Sequence, residues 1–224
     1  MFDAIASFFA EYGDLFIGGT FATLAMTAVP TLIAYAIGIP IAMVFTITSP
    51  GSLKPQPVLN AVLGWIINMG RSIPYIILMV SLIPVSRLLV GTSMGVLGAI
   101  VPLTISAIPF VARMVENSFS ETSPGLVEAA QAFGANTVQI ITKVHLKESL
   151  PSLVRGAAVT FICLIGYSSI AGALGAGGLG DIAIRFGYYR YQDEIMLVTI
   201  LIIIILVQLV QSISDIVARK IDKR

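Results

Sequence analysis

Charged side chains are scarce in this chain of 224 residues. Asp, Glu, Lys and Arg make up 11% of it, against about 25% in a typical soluble domain, and 57% of the residues are hydrophobic. The mean hydropathy is +0.95. So much apolar surface cannot be buried in one water-soluble core, and in lipid every backbone polar group must be bonded internally. The long apolar runs therefore predict an all-α membrane protein.

Cysteine and histidine occur once each, as Cys163 and His145. A single cysteine excludes an internal disulfide, and the position of Cys163 within an apolar run predicts core packing. His145 has no nucleophile or acid–base partner near it in the sequence, so we expect a solvated loop residue and no catalytic site. The formal net charge of +1 carries no signal for nucleic-acid binding. The chain is therefore not predicted to be an enzyme, and no metal or cofactor is assigned to it.

The phosphate-binding motif G-x-x-x-x-G-K-[ST] is absent, so the chain cannot cradle ATP in the usual loop. The segment "GAGGLG" does match G-x-G-x-x-G, but a dinucleotide-binding motif must follow a strand and open a helix. Here it follows a predicted membrane span. We interpret it as an external glycine-rich turn, flexible or closely packed, at the mouth of a pathway. Its glycines are Gly175, Gly177, Gly178 and Gly180.

The positions of the charges divide the chain into candidate spans. A spanning helix needs about 20 apolar residues, and five stretches qualify. They lie near 20–47, 66–86, 94–113, 156–176 and 195–215. The first stretch is longer than one crossing requires. We expect either that Pro30 and Pro40 kink it or that one end projects into water. The second has the shortest charge-free part, and residues 58–70 are a candidate interfacial helix that leads into it.

Five spans place the termini on opposite sides of the membrane. Most basic residues then share one face, which the positive-inside rule makes cytoplasmic. These residues are Lys54, Arg71, Arg113, Lys143, Lys147, Arg155, Arg219, Lys220, Lys223 and Arg224. Arg87, Arg185 and Arg190 fall on the other face. This predicts an external N-terminal segment at 1–15, a membrane domain at 16–215, a cytoplasmic loop at 114–155 and a cytoplasmic tail at 216–224. The acidic N-terminus, which lacks a basic region, argues against a cleaved signal peptide.

The cytoplasmic loop predicts two short helices joined by a turn. Ser123 can cap the first helix, with Pro124 at its first position, and Gly134 can end it in the left-handed conformation. Asn136 and Gln139 have the spacing of a capping box for the second helix. Ala129 and Ala130 are small enough for a partner to approach the backbone closely. These features alone leave a solvated hairpin and a docking site equally open.

Several motifs resemble those of a known transporter family. The loop pattern Glu128-Ala129-Ala130, Gly134 and Val144-x-Leu146 resembles the "EAA" loop of ABC importer permeases, which docks as coupling helices on a cytoplasmic ATPase. Lys147 departs from the proline of that family, so we expect the second helix to continue one or two residues further. Along nearly the whole chain, other segments resemble the permease subunit of methionine importers. They are "TLAMT", "RSIPYIILMVSLIP", "VGTSMG", "IVPLTISAIPFVARMVENSF", "LIGYSSIAGALGAGGLG" and "FGYYRY".

The resemblance implies a type I ABC importer transmembrane fold with five transmembrane helices, the N-terminus outside and the C-terminus cytoplasmic. It implies a homodimer in the bacterial cytoplasmic (inner) membrane, two ATP-binding subunits that hold ATP and magnesium, and an external methionine-binding lipoprotein. The residues assigned to the coupling loop are Glu128, Ala129, Ala130, Gly134, Gln139, Val144 and Leu146.

Carboxylates are missing from the interiors of the predicted spans, which argues against a proton or sodium relay. A pathway lined by hydroxyl and apolar side chains suits a weakly bound, partly apolar zwitterion. The candidates are Ser106, Tyr167, Ser168 and Ser169. Hydrogen bonding between helices remains an alternative role for each of them.

The sequence therefore predicts the permease subunit of an ATP-driven methionine importer, for the D or L form. One alternative is a permease for another amino acid or small metabolite. An ATP-independent channel or secondary transporter, and a membrane scaffold without transport, are the alternatives from other classes.

Overall fold

The computed structural model describes residues 2–222, and for residues 2–5 it describes the backbone only. Within this range the chain forms helices and turns without a strand, which confirms the all-α prediction. The α-helices are α1 (Phe2–Thr48), α2 (Pro57–Ser72), α3 (Tyr75–Ser81), α4 (Ile83–Val90), α5 (Gly95–Ser120), α6 (Pro124–Ala132), α7 (Thr137–Gln139), α8 (Leu146–Glu148), α9 (Leu150–Ala171), α10 (Gly178–Ile182) and α11 (Asp193–Ile221). Three π-helical segments cover Ile140–His145, Gly172–Ala176 and Ala183–Tyr188. Met1, Lys223 and Arg224, which belong to the predicted external segment and tail, lie outside the described residues.

Four helical segments of the described chain are long and apolar enough to cross a membrane. They are Ala6–Thr48, Gly95–Ser120, Leu150–Ala176 and Asp193–Ile221. A fifth crossing is possible if α2 and α3 count as one bent span. Helix α1 is continuous through Pro30 and Pro40, and its 47 residues exceed the about 20 needed for one crossing.

The region predicted as the second span is divided among α2, α3 and α4. Helices α2 and α3 are bent by 97° relative to each other. The cause lies in Ile73-Pro74, because a residue before proline is disfavoured in the helical conformation. Ile73 accordingly has an extended backbone, with φ −81° and ψ 123°. The hydrophobic run is therefore interrupted by backbone sterics that its hydropathy does not reveal.

The chain divides into two compact units. The first comprises the described part of Met1–Pro30, with Tyr75–Thr104 and Phe161–Leu209. Its buried cluster joins Phe16 to Leu179, Ile182 and Ile195. The buried backbone N–H of Leu179 donates a 2.9 Å hydrogen bond to Thr23 Oγ1, so α1 caps the start of α10 from outside that helix.

The second unit comprises Thr31–Pro74, Ile105–Thr160 and the described part of Val210–Arg224. Phe45, Ile67 and Ala112 form a buried cluster. The Asn60 side-chain amide donates to the Phe45 carbonyl at 2.7 Å and to Thr48 Oγ1 at 3.2 Å. These contacts fix α2 against the end of α1 within this unit.

Candidate functional site

Helix α6, which carries the "EAA" residues, has no buried residue. Glu128 and Ala129 are exposed and Ala130 is half-buried. Ser123 and Pro124 occupy the predicted cap and first helical positions, although the Ser123 hydroxyl makes no capping hydrogen bond. A helix without a buried face gains little stability from packing in its own chain, so α6 is a surface available to a partner.

Phe133, which the sequence analysis did not single out, is 92% exposed just beyond the end of α6. A large aromatic side chain left in water at a loop tip marks an interaction surface when it adjoins other exposed apolar groups. Leu126 and Val138 are also exposed. An aromatic residue directly before a turn glycine was the available sequence signal for this position.

The turn and the second helix form as predicted. Gly134 has a left-handed backbone with φ +79°. Asn136 Oδ1 accepts from the Gln139 backbone N–H, and Gln139 Oε1 accepts from the Asn136 backbone N–H, both at 2.9 Å. This reciprocal pair confirms the capping box. The helical path continues through the π-helical segment and α8 to Glu148, one residue past Lys147. Val144 and Leu146 are half-buried on it.

The second helical segment of the loop is bonded to the end of α5. Ser149 Oγ donates to the Ser118 carbonyl at 2.7 Å, and the Ser118 and Ser152 hydroxyls are hydrogen-bonded at 2.9 Å. Ile140 and Ile141 are buried on the same segment. The loop therefore has one half without a buried residue, α6, and one half bonded to α5, which is bonded in turn to α9. Because these bonds join residues about 30 positions apart, local sequence patterns could not predict them.

His145 is not the solvated residue that the sequence predicted. Its ring is half-buried and lies 5.9 Å from the Phe119 ring, centroid to centroid. Its Nδ1 is 3.3 Å from the Phe119 carbonyl oxygen, which accepts a hydrogen bond. The helical turn at this point directs the ring toward α5. His145 thus adds a further tie between the loop and α5.

The His145 tie is expected to weaken in acid. Burial lowers the pKa of His145 below its ordinary value of about 6.5, with partial compensation from the Phe119 carbonyl. The unfolded segment then binds more protons than the folded one between the two pKa values, so stability rises with pH there. The tie is strongest above about pH 6.5 and is lost as the pH falls through the lowered pKa.

We expect faster amide hydrogen exchange in residues 137–148 in mild acid than at neutral pH, after correction for intrinsic rates. The His145→Gln variant should lose this pH dependence, and an equal pH response in both proteins would contradict the assignment.

An open groove of about 630 Å³ lies between α6 and other parts of the second unit. Glu128 and Gln131 line one side, and residues 49–53 and the end of α5 line the other. The groove explains why no residue of α6 is buried.

The predicted pathway residues are divided between the two units. Tyr167, Ser168 and Ser169 belong to the first unit, whereas Ser106 belongs to the second. The Ser168 and Ser169 hydroxyls both donate to the Ile165 carbonyl, at 2.8 and 3.1 Å, within their own helix. Tyr167 is 38% exposed, and its ring is stacked on Tyr75 with centroids 4.6 Å apart. Tyr167 is therefore the member of this group whose side chain faces outward.

The glycine-rich segment is closely packed. A Cβ added at Gly180 would lie 2.4 Å from Ser169 Cα, and one at Gly178 would lie 2.8 Å from Thr23 Oγ1. Gly175, Gly177 and Gly178 all have positive φ. The segment follows a helix, as expected, so the context of a dinucleotide-binding motif is missing. It is a folded-back turn that admits no side chain at its contacts.

No group of three or more His, Cys, Asp or Glu residues within the described chain could hold a metal ion. The ionic contacts near the ends of the helices are pairs, such as Asp181 with Arg185 at 2.7 Å. These pairs are compatible with structural roles at a membrane surface.

Comparison with known proteins identifies one family and several similar permeases. Residues 38–224 match the family described as "Binding-protein-dependent transport system inner membrane component". The chain is 47% identical over 223 residues to the probable D-methionine transport system permease protein MetI of Vibrio cholerae. The alignment covers 100% of this chain and 99% of that protein. It is 47% identical over 158 residues to the D-methionine transport system permease protein MetI of Escherichia coli, covering 70% and 73% of the two chains.

Solved structures agree with the fold. A chain from the structure described as "Inward facing conformations of the MetNI methionine ABC transporter" is 44% identical, with a TM-score of 0.93 and coverage of 95% of this chain and 99% of that chain. A chain from an amino acid ABC transporter crystallised with histidines is 20% identical with a TM-score of 0.76, and covers 94% and 96% of the two chains. At that identity the likeness concerns the fold alone. The family match and the high-identity relatives together show that this chain belongs to the inner membrane components of binding-protein-dependent transport systems.

Proposed function

We propose that this chain is the permease subunit of an ATP-driven importer of methionine in its D or L form. Methionine is proposed as the substrate because the relatives are named as D-methionine permeases. The observation that carries the coupling role is the contrast within the cytoplasmic loop. Helix α6 has no buried residue, while Ser149, at the end of the helical segment that follows it, is hydrogen-bonded to Ser118 of α5, and Ser118 is bonded in turn to Ser152 of α9.

ATP and magnesium belong to a separate ATPase chain in this proposal, since the sequence lacks the phosphate-binding motif. Two permease copies form a homodimer with two such ATPases, as the resemblance implies. The ATPase receives α6 through Glu128, Ala129 and Ala130, and Gly134 sets the angle to the second helix. Gln139, Val144 and Leu146 keep that helix folded and in contact with the rest of the unit. Closure of the ATPase then moves α5 and α9 through the serine and histidine ties.

The proposed orientation follows the positive-inside rule. Five crossings, with α2 to α4 as the second, place the segment at 1–15 outside and both the loop at 114–155 and the tail at 216–224 in the cytoplasm of a bacterium. The membrane domain covers 16–215 of the multi-pass chain in the inner membrane. The external binding protein delivers substrate at the glycine-rich turn formed by Gly175, Gly177, Gly178 and Gly180.

The substrate pathway in this proposal passes Tyr167, whose outward-facing ring is stacked on Tyr75. Ser106, Ser168 and Ser169 are assigned to the same pathway as hydroxyl groups beside it. A path with hydroxyl and apolar walls binds a zwitterion weakly and allows its release.

Reconstitution in liposomes tests the proposal against the alternatives. Labelled methionine should accumulate only when the permease is assembled with its ATPase, ATP and magnesium and is supplied with loaded binding protein. The permease alone should show no flux. Flux without an ATPase would identify a channel or secondary transporter. ATP-driven uptake of another labelled amino acid, with none of labelled methionine, would correct the substrate.

A further inference from the structure

A small cavity lies within the first unit. Its volume is about 140 Å³, or about four to five waters at about 30 Å³ each. Its apolar walls are formed by Met79, Ile83, Met94, Pro102 and Leu174. The cavity is too small for a whole amino acid but has room for one unbranched side chain.

Ser86 is the polar group that most needs a partner at this cavity. The residue is 2% exposed and lines the space. Its hydroxyl makes no hydrogen bond among the residues that the structure describes, whereas the neighbouring serine Ser81 is bonded to its own helix. An occupant of the cavity would give this hydroxyl a hydrogen-bond partner. A ligand with a weak acceptor atom would provide one.

The cavity is linked by side-chain contacts to Tyr167, the exposed residue of the proposed pathway. Tyr167 is stacked on Tyr75, with parallel rings inclined by 2°. The Tyr75 hydroxyl donates to Met79 Sδ at 3.6 Å, and Met79 is part of the cavity wall. A molecule that reaches Tyr167 is therefore two side chains away from the cavity.

The walls can adapt to an occupant. Methionine side chains are unbranched and polarisable, and they fill irregular spaces with little strain. Leu174 belongs to the glycine-rich segment, and a Cβ on its neighbour Gly175 would lie 3.1 Å from Met94 Cε. The wall formed by Met94 thus packs directly on the proposed mouth of the pathway.

We propose that this cavity holds the unbranched apolar side chain of the substrate during transport, with the thioether sulfur accepting from the Ser86 hydroxyl. The inference rests on the proposed function and adds a specificity site to it. A thioether is a weak acceptor, so Ser86 distinguishes methionine from its isosteric hydrocarbon only modestly. The cavity selects for the length of the side chain and not for the configuration at the α-carbon. This is in keeping with transport of either enantiomer.

Enlarging the cavity tests the length filter. One methylene in an apolar pocket changes discrimination about 10-fold or more, so Ile83→Ala should raise the ethionine-to-methionine ratio of uptake rates on the order of tenfold. Rates are measured in proteoliposomes with the full complex and with binding protein saturated with each amino acid. The ratio is taken within each variant, so a loss of folded protein cancels. Ile77→Ala makes the same change at an exposed position of α3 outside the cavity and should leave the ratio at its wild-type value.

Removing the hydroxyl tests the polar contact. Ser86→Ala should lower the methionine-to-norleucine ratio of uptake rates a few-fold, with ethionine discrimination retained. Unchanged ratios in both Ile83→Ala and Ser86→Ala, or an equal shift in Ile77→Ala, would overturn the side-chain site while wild-type methionine uptake stands. Absence of ATP-driven methionine uptake by the wild-type complex would overturn the proposed function itself.

Discussion

Replacing Ala130 by glutamate is expected to abolish methionine uptake while the permease still inserts into the membrane. Ala130 is half-buried on a helix that has no buried residue, so the added carboxylate disturbs little within the chain. In the docked complex it would enter the surface proposed for the ATPase. An unpaired charge forced into an interface costs about 2–5 kcal/mol, which corresponds to a loss of docking affinity of roughly 30-fold to several thousandfold.

The measurement is ATP-dependent uptake in proteoliposomes together with ATP hydrolysis and co-purification of the ATPase. The Ala130→Ser variant serves as the control, because it keeps a small neutral side chain at the same position and should transport at close to the wild-type rate. Uptake by Ala130→Glu at the wild-type rate would remove α6 from the coupling mechanism. Loss of the protein from the membrane would instead indicate a folding role.

Placing one methyl group on Gly180 is expected to destabilise the glycine-rich segment and abolish transport. The added Cβ would lie 2.4 Å from Ser169 Cα and 2.6 Å from the Ser169 carbonyl oxygen. Both atoms belong to the backbone, so neither can move aside as a flexible side chain would. Overpacking typically costs about 1–3 kcal/mol, and a domain of 150–250 residues loses about 2–4 °C of melting temperature for each kcal/mol. A decrease of several degrees should therefore accompany the loss of uptake.

Gly166 on α9 offers a matched control for this substitution. A Cβ at Gly166 meets nothing within 4 Å in the chain, and alanine is favoured over glycine in a helix by about 0.5–1 kcal/mol. Gly166→Ala should therefore melt at or slightly above the wild-type temperature. If Gly180→Ala melts and transports like Gly166→Ala, the turn is not packed as tightly as described.

Sequence patterns predicted the helices and turn of the loop at 114–155 because their determinants are local. The Asn136–Gln139 capping box joins residues three apart, and the left-handed Gly134 depends on its own backbone. Helix continuation past Lys147 has a similar cause, since lysine keeps the backbone N–H that proline lacks. The bend at Ile73-Pro74 is equally local, but it depends on the residue before a proline and not on hydropathy.

The role of His145 could not be predicted, because its partner Phe119 lies 26 positions away. No periodicity identifies which face of a short loop helix will meet the end of another helix. The same limitation applied to Tyr167, whose stacking on Tyr75 depends on two separate helices. The hydroxyls of Ser168 and Ser169 bond their own helix, which residue types alone do not indicate.

By itself, the sequence determined that this protein is helical, belongs in a membrane and carries a two-helix loop with the spacing of a coupling motif. Each of these properties depends on composition or on residues within one or two helical turns of each other. Only the tertiary structure decided that the loop is tied to α5 and α9 and that the glycine-rich segment is tightly packed. It also decided that Ser86 faces a small apolar cavity. These features join residues far apart in the chain, and their geometry follows from how whole helices pack together.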